Sequence, residues 1–149
     1  MTSETIDAYA GDLAPKQAWD LLAQESAAVL VDVRSQPEWS FVGIPDLSGL
    51  KKRPLLVAWQ SYNAAAKPPM VPNADFAASV EAAEIDKSAP VIFLCRSGVR
   101  SKAAAIAMTK RGFRRCYNLA GGFEGPHDDA HHRGRLSGWK AAGLPWTQE

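Results

Sequence analysis

The sequence predicts an α/β fold, with a central parallel sheet of about five strands and helices on both faces. Three observations predict it. Short apolar runs rich in β-branched residues recur along the 149 residues, each stopped by charge, proline or glycine. Between them lie segments with helical spacing. The two longest runs, residues 27–31 and 91–95, are apolar throughout instead of at every second residue, which is how a strand reads when both sheet faces are covered.

In chain order, Pro15–Gln24 is the first helix: Pro15 takes a first-turn position, and Ala18, Trp19, Leu21 and Leu22 form an apolar stripe. Residues 28–33 form a buried strand, and residues 55–59 a second one after the turn Lys51-Lys52-Arg53-Pro54. Residues 60–73, rich in Ala, Lys and Pro, read as a surface loop, and residues 75–83 as a helix capped by Asn73 or Asp75. Pro90–Leu94 is the clearest strand. The alanine-rich residues 101–111 follow as a helix, with Lys110 and Arg111 in the last turn and Gly112 as a left-handed stop. A strand over residues 116–119 ends at Gly121-Gly122. A polar loop over residues 125–137 then leads to a short closing helix at 139–142, stopped by Gly143 and Pro145.

Composition excludes several classes. With 46% hydrophobic and 22% charged residues, the chain is ordinary for a globular protein and long enough to bury a core without staples. One domain over residues 1–149 is expected, with its core between residues 13 and 146. Two cysteines make neither a disulfide framework nor a four-cysteine zinc site. A net charge of +1 supplies no broad electrostatic attraction for nucleic acid or an anionic membrane, so neither is an expected partner. The first ten residues carry Glu4 and Asp7 and lack a basic start and an apolar run, unlike a secretory signal. No apolar run approaches the roughly 20 residues a membrane span needs. A cytoplasmic protein is expected, with Cys95 and Cys116 as free thiols.

In a parallel sheet, function gathers just past the carboxyl ends of the strands. There the chain reads Cys95-Arg96-Ser97-Gly98-Val99-Arg100-Ser101, immediately before a helix. A helix start offers unpaired N–H groups and the positive end of a dipole, Gly98 allows the chain to curl around one point, and Arg96 and Arg100 add positive charge. Each of these favours a thiolate at Cys95 and so a nucleophile, where a lone strand-end cysteine would read as a small core residue.

This string resembles the active-site loop of rhodanese-type sulfurtransferases. Two further segments agree. Leu30-Val31-Asp32-Val33-Arg34, with Glu38-Trp39 and Ile44-Pro45, is similar to the family's first signature. Asn118-Leu119-Ala120-Gly121-Gly122-Phe123, with Gly138-Trp139-Lys140-Ala141-Ala142-Gly143-Leu144-Pro145, is similar to its carboxyl-terminal one. The likeness runs over residues 13–146 and departs at Val42-Gly43-Ile44-Pro45, where the family usually reads Gly-His-Ile-Pro, and at residues 126–137, which lengthen the approach to the last helix.

The resemblance implies a rhodanese-like fold and sulfane-sulfur transfer. Cys95 would take sulfur from thiosulfate or another persulfide donor and pass it to a thiol or cyanide acceptor, without metal or cofactor. Backbone N–H groups of Arg96, Ser97, Gly98, Val99, Arg100 and Ser101 would face the sulfur, with Arg100 the first choice for an anionic donor and Arg96 the second. Asp32 and Arg34 are expected to support the site by tying the first strand and its loop to the domain, and Trp39, Trp59 and Phe123 to line the pocket mouth. A protein partner in a sulfur relay is a further possibility, and a regulatory docking module is the alternative that lacks chemistry. Cysteine phosphatases and arsenate reductases of the same fold place five residues between cysteine and arginine, whereas four separate Cys95 from Arg100, leaving a smaller cradle.

Other signals point to packing or solvation. Cys116 sits in an alternating strand and reads as a packing residue. His127, Asp128, Asp129, His131 and His132 match no metal-ligand template and read as a solvated loop. Lys110, Arg111, Arg114 and Arg115 read as a solvated basic face.

Overall fold

A computed structural model describes residues 8–148. The reading of the first ten residues as non-secretory falls mostly outside them. Five strands form one parallel sheet: β1 (Gly11–Leu13), β2 (Val29–Asp32), β4 (Leu55–Leu56), β7 (Pro90–Leu94) and β8 (Arg115–Leu119), in the order β1-β8-β7-β2-β4. Strand β7 lies in the middle, pairing Val91 with Val29 of β2 and with Cys116 of β8. All five of its residues are buried, as its unbroken apolar sequence requires.

Alternation along the strands divides the core between the two faces. Val31, Val91, Phe93 and Cys95 face Phe76 and Val80 of α3 (Phe76–Ala82) and Ala104, Ala105 and Met108 of α4 (Val99–Lys110). Leu30, Ile92 and Leu94 face the other way, joining Ala18 and Leu22 of α1 (Pro15–Gln24) and the buried ring of Trp139. Each fully buried leucine, isoleucine or phenylalanine contributes about 1.5–3 kcal/mol. No helix among the described residues is long and apolar enough to cross a membrane.

Several elements differ from expectation. The strand expected over 55–59 is regular only at Leu55–Leu56, and Val57 and Trp59 continue along β2 through single hydrogen bonds to Asp32 and Val33 carbonyls. The expected loop at 60–73 contains a hairpin of β5 (Gln60–Tyr62) and β6 (Met70–Pro72). Its largely exposed residues carry no apolar alternation that would betray it. Helix α2 (Gln36–Val42) was not anticipated, although Ser35-Gln36-Pro37-Glu38 carries a start signal: Pro37 in the first turn and a glutamate that accepts the Ser35 N–H at 3.1 Å. Helix α4 starts two residues before its expected position, at Val99. The closing helix at 139–142 is a single turn, in which the Ala142 N–H reaches the Gly138 carbonyl at 3.0 Å. Beyond it, β9 (Trp146–Thr147) pairs antiparallel with β3 (Ile44–Pro45).

Candidate functional site

The carboxyl ends of β2, β7 and β8 meet on one side of the sheet, and Cys95 follows β7 there with 1% of its surface exposed. The chain after β8 shapes its loop. The N–H of Phe123 donates to the Cys95 carbonyl at 2.8 Å, and those of Glu124 and Gly125 to the Arg96 carbonyl at 3.0 and 3.1 Å. Of the loop N–H groups expected to face the sulfur, that of Gly98 is the one that makes a hydrogen bond to it among the described residues. The Gly98 N–H donates to Cys95 Sγ at 3.1 Å, from a glycine with φ of +119° that caps α4. That backbone conformation is strained for any other residue.

Ser101 adds a hydroxyl, with Oγ 3.2 Å from Cys95 Sγ and 2.5 Å from Asn118 Oδ1. Asp12, an acceptor only, orients the Asn118 amide by taking its Nδ2–H at 3.1 Å, and also accepts the Tyr9 hydroxyl at 2.8 Å. The single hydroxyl proton of Ser101 thus has two acceptors in reach, the sulfur and the amide. Asn118 and Asp12 were not among the sequence candidates. The one sequence signal for Asn118 is a polar residue within a strand just before Gly121-Gly122, and the structure buries it, 5% exposed.

A glycine makes the loop's clasp possible. A Cβ on Gly122 would lie 2.5 Å from the Cys95 carbonyl oxygen and 2.5 Å from the Arg96 carbonyl carbon and oxygen, all backbone atoms. Gly122→Ala is expected to cost about 2 kcal/mol or more, because neither chain can yield without breaking the three hydrogen bonds beside it. A urea unfolding midpoint within error of wild type would refute this.

This arrangement is a thiol cradled by a strand end, a backbone turn and a helix start, as the resemblance requires. The family model for the rhodanese-like domain matches residues 14–128. The chain belongs to the rhodanese-like domain family. Over 131 residues it is 40% identical to the uncharacterized protein RP600 homolog of Rickettsia rickettsii, covering 87% of this chain and 91% of that one. The crystal structure of Rv0390 from M. tuberculosis superposes with a TM-score of 0.82 at 46% identity, covering 95% of this chain and 100% of that one. Thiosulfate sulfurtransferase GlpE of Actinobacillus pleuropneumoniae serotype 5b is 26% identical over 134 residues, 90% of each chain.

Within this rhodanese-like domain the remaining candidates separate. Arg96, Ser97 and Val99 are exposed on the outer side of the loop. Arg100 is half-buried, and its guanidinium is held by Glu38, with Nη1–Oε1 at 2.9 Å and Nη2–Oε2 at 3.1 Å. Asp32 and Arg34, both at 0% exposure, form an ion pair at 2.6 Å, and Arg34 Nη2 also donates to the Gly43 carbonyl at 2.8 Å.

The aromatics differ in role. Trp39 helps line a cleft of about 470 Å³ with Gln36, Ser40, Phe41, Ile44, Leu56 and Thr147, to which none of residues 95–101 contributes. Trp59, partly buried, packs edge-on against the core residue Phe76 of α3, centroids 4.9 Å apart. Phe123 is fully buried, with the Arg34 guanidinium 4.3 Å from its ring centroid. It therefore lines the core and not the pocket mouth, because its backbone is pinned to the Cys95 carbonyl and its ring covers Arg34.

Cys116 is buried beside Val91, four residues before Cys95 along β7, a separation of about 13 Å at the strand rise and too far for a disulfide. Burial pushes its thiol up to about 11, against a weaker lowering by Thr109, so it stays protonated near neutrality. In the basic face, Arg111 pairs with Glu81 at 2.5 Å and Arg115 with Glu25 at 2.9 Å. No group of three or more His, Cys, Asp or Glu among the described residues is placed to hold a metal ion. Asp128 instead accepts the backbone N–H groups of Ala130 and His132, both at 2.9 Å.

Proposed function

We propose that this protein is a sulfurtransferase that carries sulfane sulfur as a persulfide on Cys95. The observation that carries the reading is the sulfur's surroundings: the Gly98 N–H at 3.1 Å and the Ser101 hydroxyl at 3.2 Å converge on Sγ at the start of α4. In the first half-reaction the Cys95 thiolate attacks the outer sulfur of thiosulfate or of a hydropersulfide. A new S–S bond forms as the donor's S–S bond breaks, and its electron pair leaves on sulfite or a thiolate. In the second, a thiol or cyanide attacks the outer sulfur of the persulfide and restores the Cys95 thiolate. The Gly98 N–H, already aimed at the sulfur, stabilises its negative charge without reorganisation, and the Ser101 proton can turn from Asn118 to add to it. Protein partners in a sulfur relay would use the same two steps.

The similarity to a thiosulfate sulfurtransferase at 26% identity supports the activity class. The docking-module alternative has no use for the nucleophile and its donors. A phosphatase would need a wider cradle than the four residues between Cys95 and Arg100 leave, and the Arg100 fork is taken by Glu38.

Incubation with thiosulfate or an organic hydropersulfide is expected to raise the intact mass by one sulfur atom, and added cyanide to remove it as thiocyanate. Failure to gain sulfur from either donor would leave the docking module as the better account. Cys95-dependent hydrolysis of a phosphotyrosine mimic would favour the phosphatase instead.

A further inference from the structure

The two loop arginines are not equally available to a donor. Arg96 is exposed, whereas Arg100 is half-buried and presents both Nη groups to Glu38. A parallel pair of N–H groups is the geometry with which arginine grips an oxyanion. Here a carboxylate of the chain fills that grip. The same carboxylate is fixed from behind, since Glu38 Oε1 also accepts the Ser35 N–H at 3.1 Å and the Ser35 hydroxyl at 3.0 Å. Partial burial opposes the Glu38 charge, but hydrogen bonds from Arg100 and Ser35 outweigh it and hold the carboxyl at about 2. The pair therefore stays closed across the neutral range.

We infer that Glu38 acts as a built-in anion at Arg100, so that the Cys95 site takes sulfur from hydropersulfides, R–S–SH, in preference to thiosulfate. The inference rests on the sulfurtransferase reading and narrows its donor class. Thiosulfate carries two negative charges, and its leaving group is sulfite, whose oxygens are what an arginine fork would hold. With Arg100 neutralised by Glu38, that dianion must either displace a carboxylate bound by four hydrogen bonds or approach without the fork. A hydropersulfide needs no fork. The Cys95 thiolate bonds to the terminal sulfur, the donor's S–S bond breaks, and the electron pair leaves on RS⁻. One thiolate is consumed and one released, the proton stays on the transferred sulfur, and no oxidant or reductant is required.

The test compares sulfur loading of Cys95 from thiosulfate and from benzyl hydropersulfide, whose R group is uncharged, in wild type and Glu38→Gln. Glutamine keeps the shape of the side chain but turns an N–H donor toward the guanidinium and frees the fork. Wild type is expected to favour the hydropersulfide by about a hundredfold or more in kcat/KM, and Glu38→Gln to shrink that ratio about tenfold through a lower KM for thiosulfate. Sulfate should inhibit hydropersulfide loading in Glu38→Gln and not in wild type. If both donors load and the ratio in Glu38→Gln is unchanged or moves further from thiosulfate, Glu38 only ties α2 to α4 and the inference fails. Equal use of both donors by wild type overturns it as well, and needs no variant to fold. A wild-type protein loaded by neither donor defeats the sulfurtransferase reading itself, and donor selectivity with it.

Discussion

Cys95→Ser is expected to abolish sulfur loading while leaving the fold in place. A serine oxygen cannot carry a persulfide, because the intermediate is an S–S bond and no other group in the loop supplies sulfur. It is also a far weaker nucleophile than a thiolate at neutral pH. Turnover should therefore fall at least about a thousandfold, to the rate of the donor and acceptor alone, as expected when the covalent step is removed. The structural cost is small for a physical reason. Cys95 is buried, but the Gly98 N–H that meets Sγ finds an oxygen acceptor in serine, and the Ser101 hydroxyl is already beside it. Cys116→Ser should do the reverse. Its hydrogen bond to the Phe113 carbonyl is long, at 3.9 Å, Val91 packs beside it in the core, and its thiol is held protonated by burial. That variant should lose stability and keep its sulfur loading. Intact mass after donor treatment and thermal unfolding midpoints separate the two outcomes, and a Cys95→Ser protein that still gains sulfur would move the chemistry elsewhere.

The contrast between the cysteines was legible in the sequence because it depends on neighbours along the chain. Cys95 is followed within three residues by Gly98 and then by a helix, whereas Cys116 lies inside a strand. The parallel sheet was legible for a similar reason. Strands β2 and β7 are buried on both faces, so β7 is apolar throughout and β2 is apolar up to Asp32 at its carboxyl end, and the glycines after α4 and β8 mark where elements stop. The pairings that complete the site were not legible. Asn118 meets Asp12 across 106 positions, and Arg100 meets Glu38 across 62, distances at which spacing carries no information. The sequence offers Arg100 as the first choice for an anionic donor and shows its charge without its partner Glu38. The pocket-mouth position expected for Phe123 fails because its backbone bond to Cys95 and its ring over Arg34 draw it inside, contacts the sequence does not show. The short edge pairs β3–β9 and β5–β6 escaped because strands of two or three residues are too brief to show a period.

Asp32→Ala is expected to cost about 3–5 kcal/mol, because it leaves a buried arginine without its counter-charge. Both side chains are wholly buried. Asp32 receives the Arg34 backbone N–H at 3.1 Å, Nε at 2.9 and 3.2 Å, and Nη2 at 2.6 Å, so it takes two of the five guanidinium N–H donors and supplies the only counter-charge paired with Arg34 among the described residues. What remains for Arg34 after truncation is the Gly43 carbonyl and the face of Phe123, while its Nη1 has no hydrogen-bond partner among the described residues even before truncation. For a domain stable by about 5–15 kcal/mol, the loss removes a large fraction of the total. It should also reach the site, because the Arg34 contact to Gly43 secures the end of α2, the helix that carries Glu38 toward Arg100. The ordering of variants distinguishes an uncompensated charge from lost packing. Asp32→Asn, which keeps the shape and one acceptor, should cost less than Asp32→Ala. The double variant Asp32→Ala with Arg34→Met should recover part of the loss, because it removes the stranded cation. Urea unfolding of the four proteins measures this directly. A double variant less stable than Asp32→Ala alone would mean that the Arg34 stem and its stacking on Phe123, and not the ion pair, hold β2 to the loop after β8.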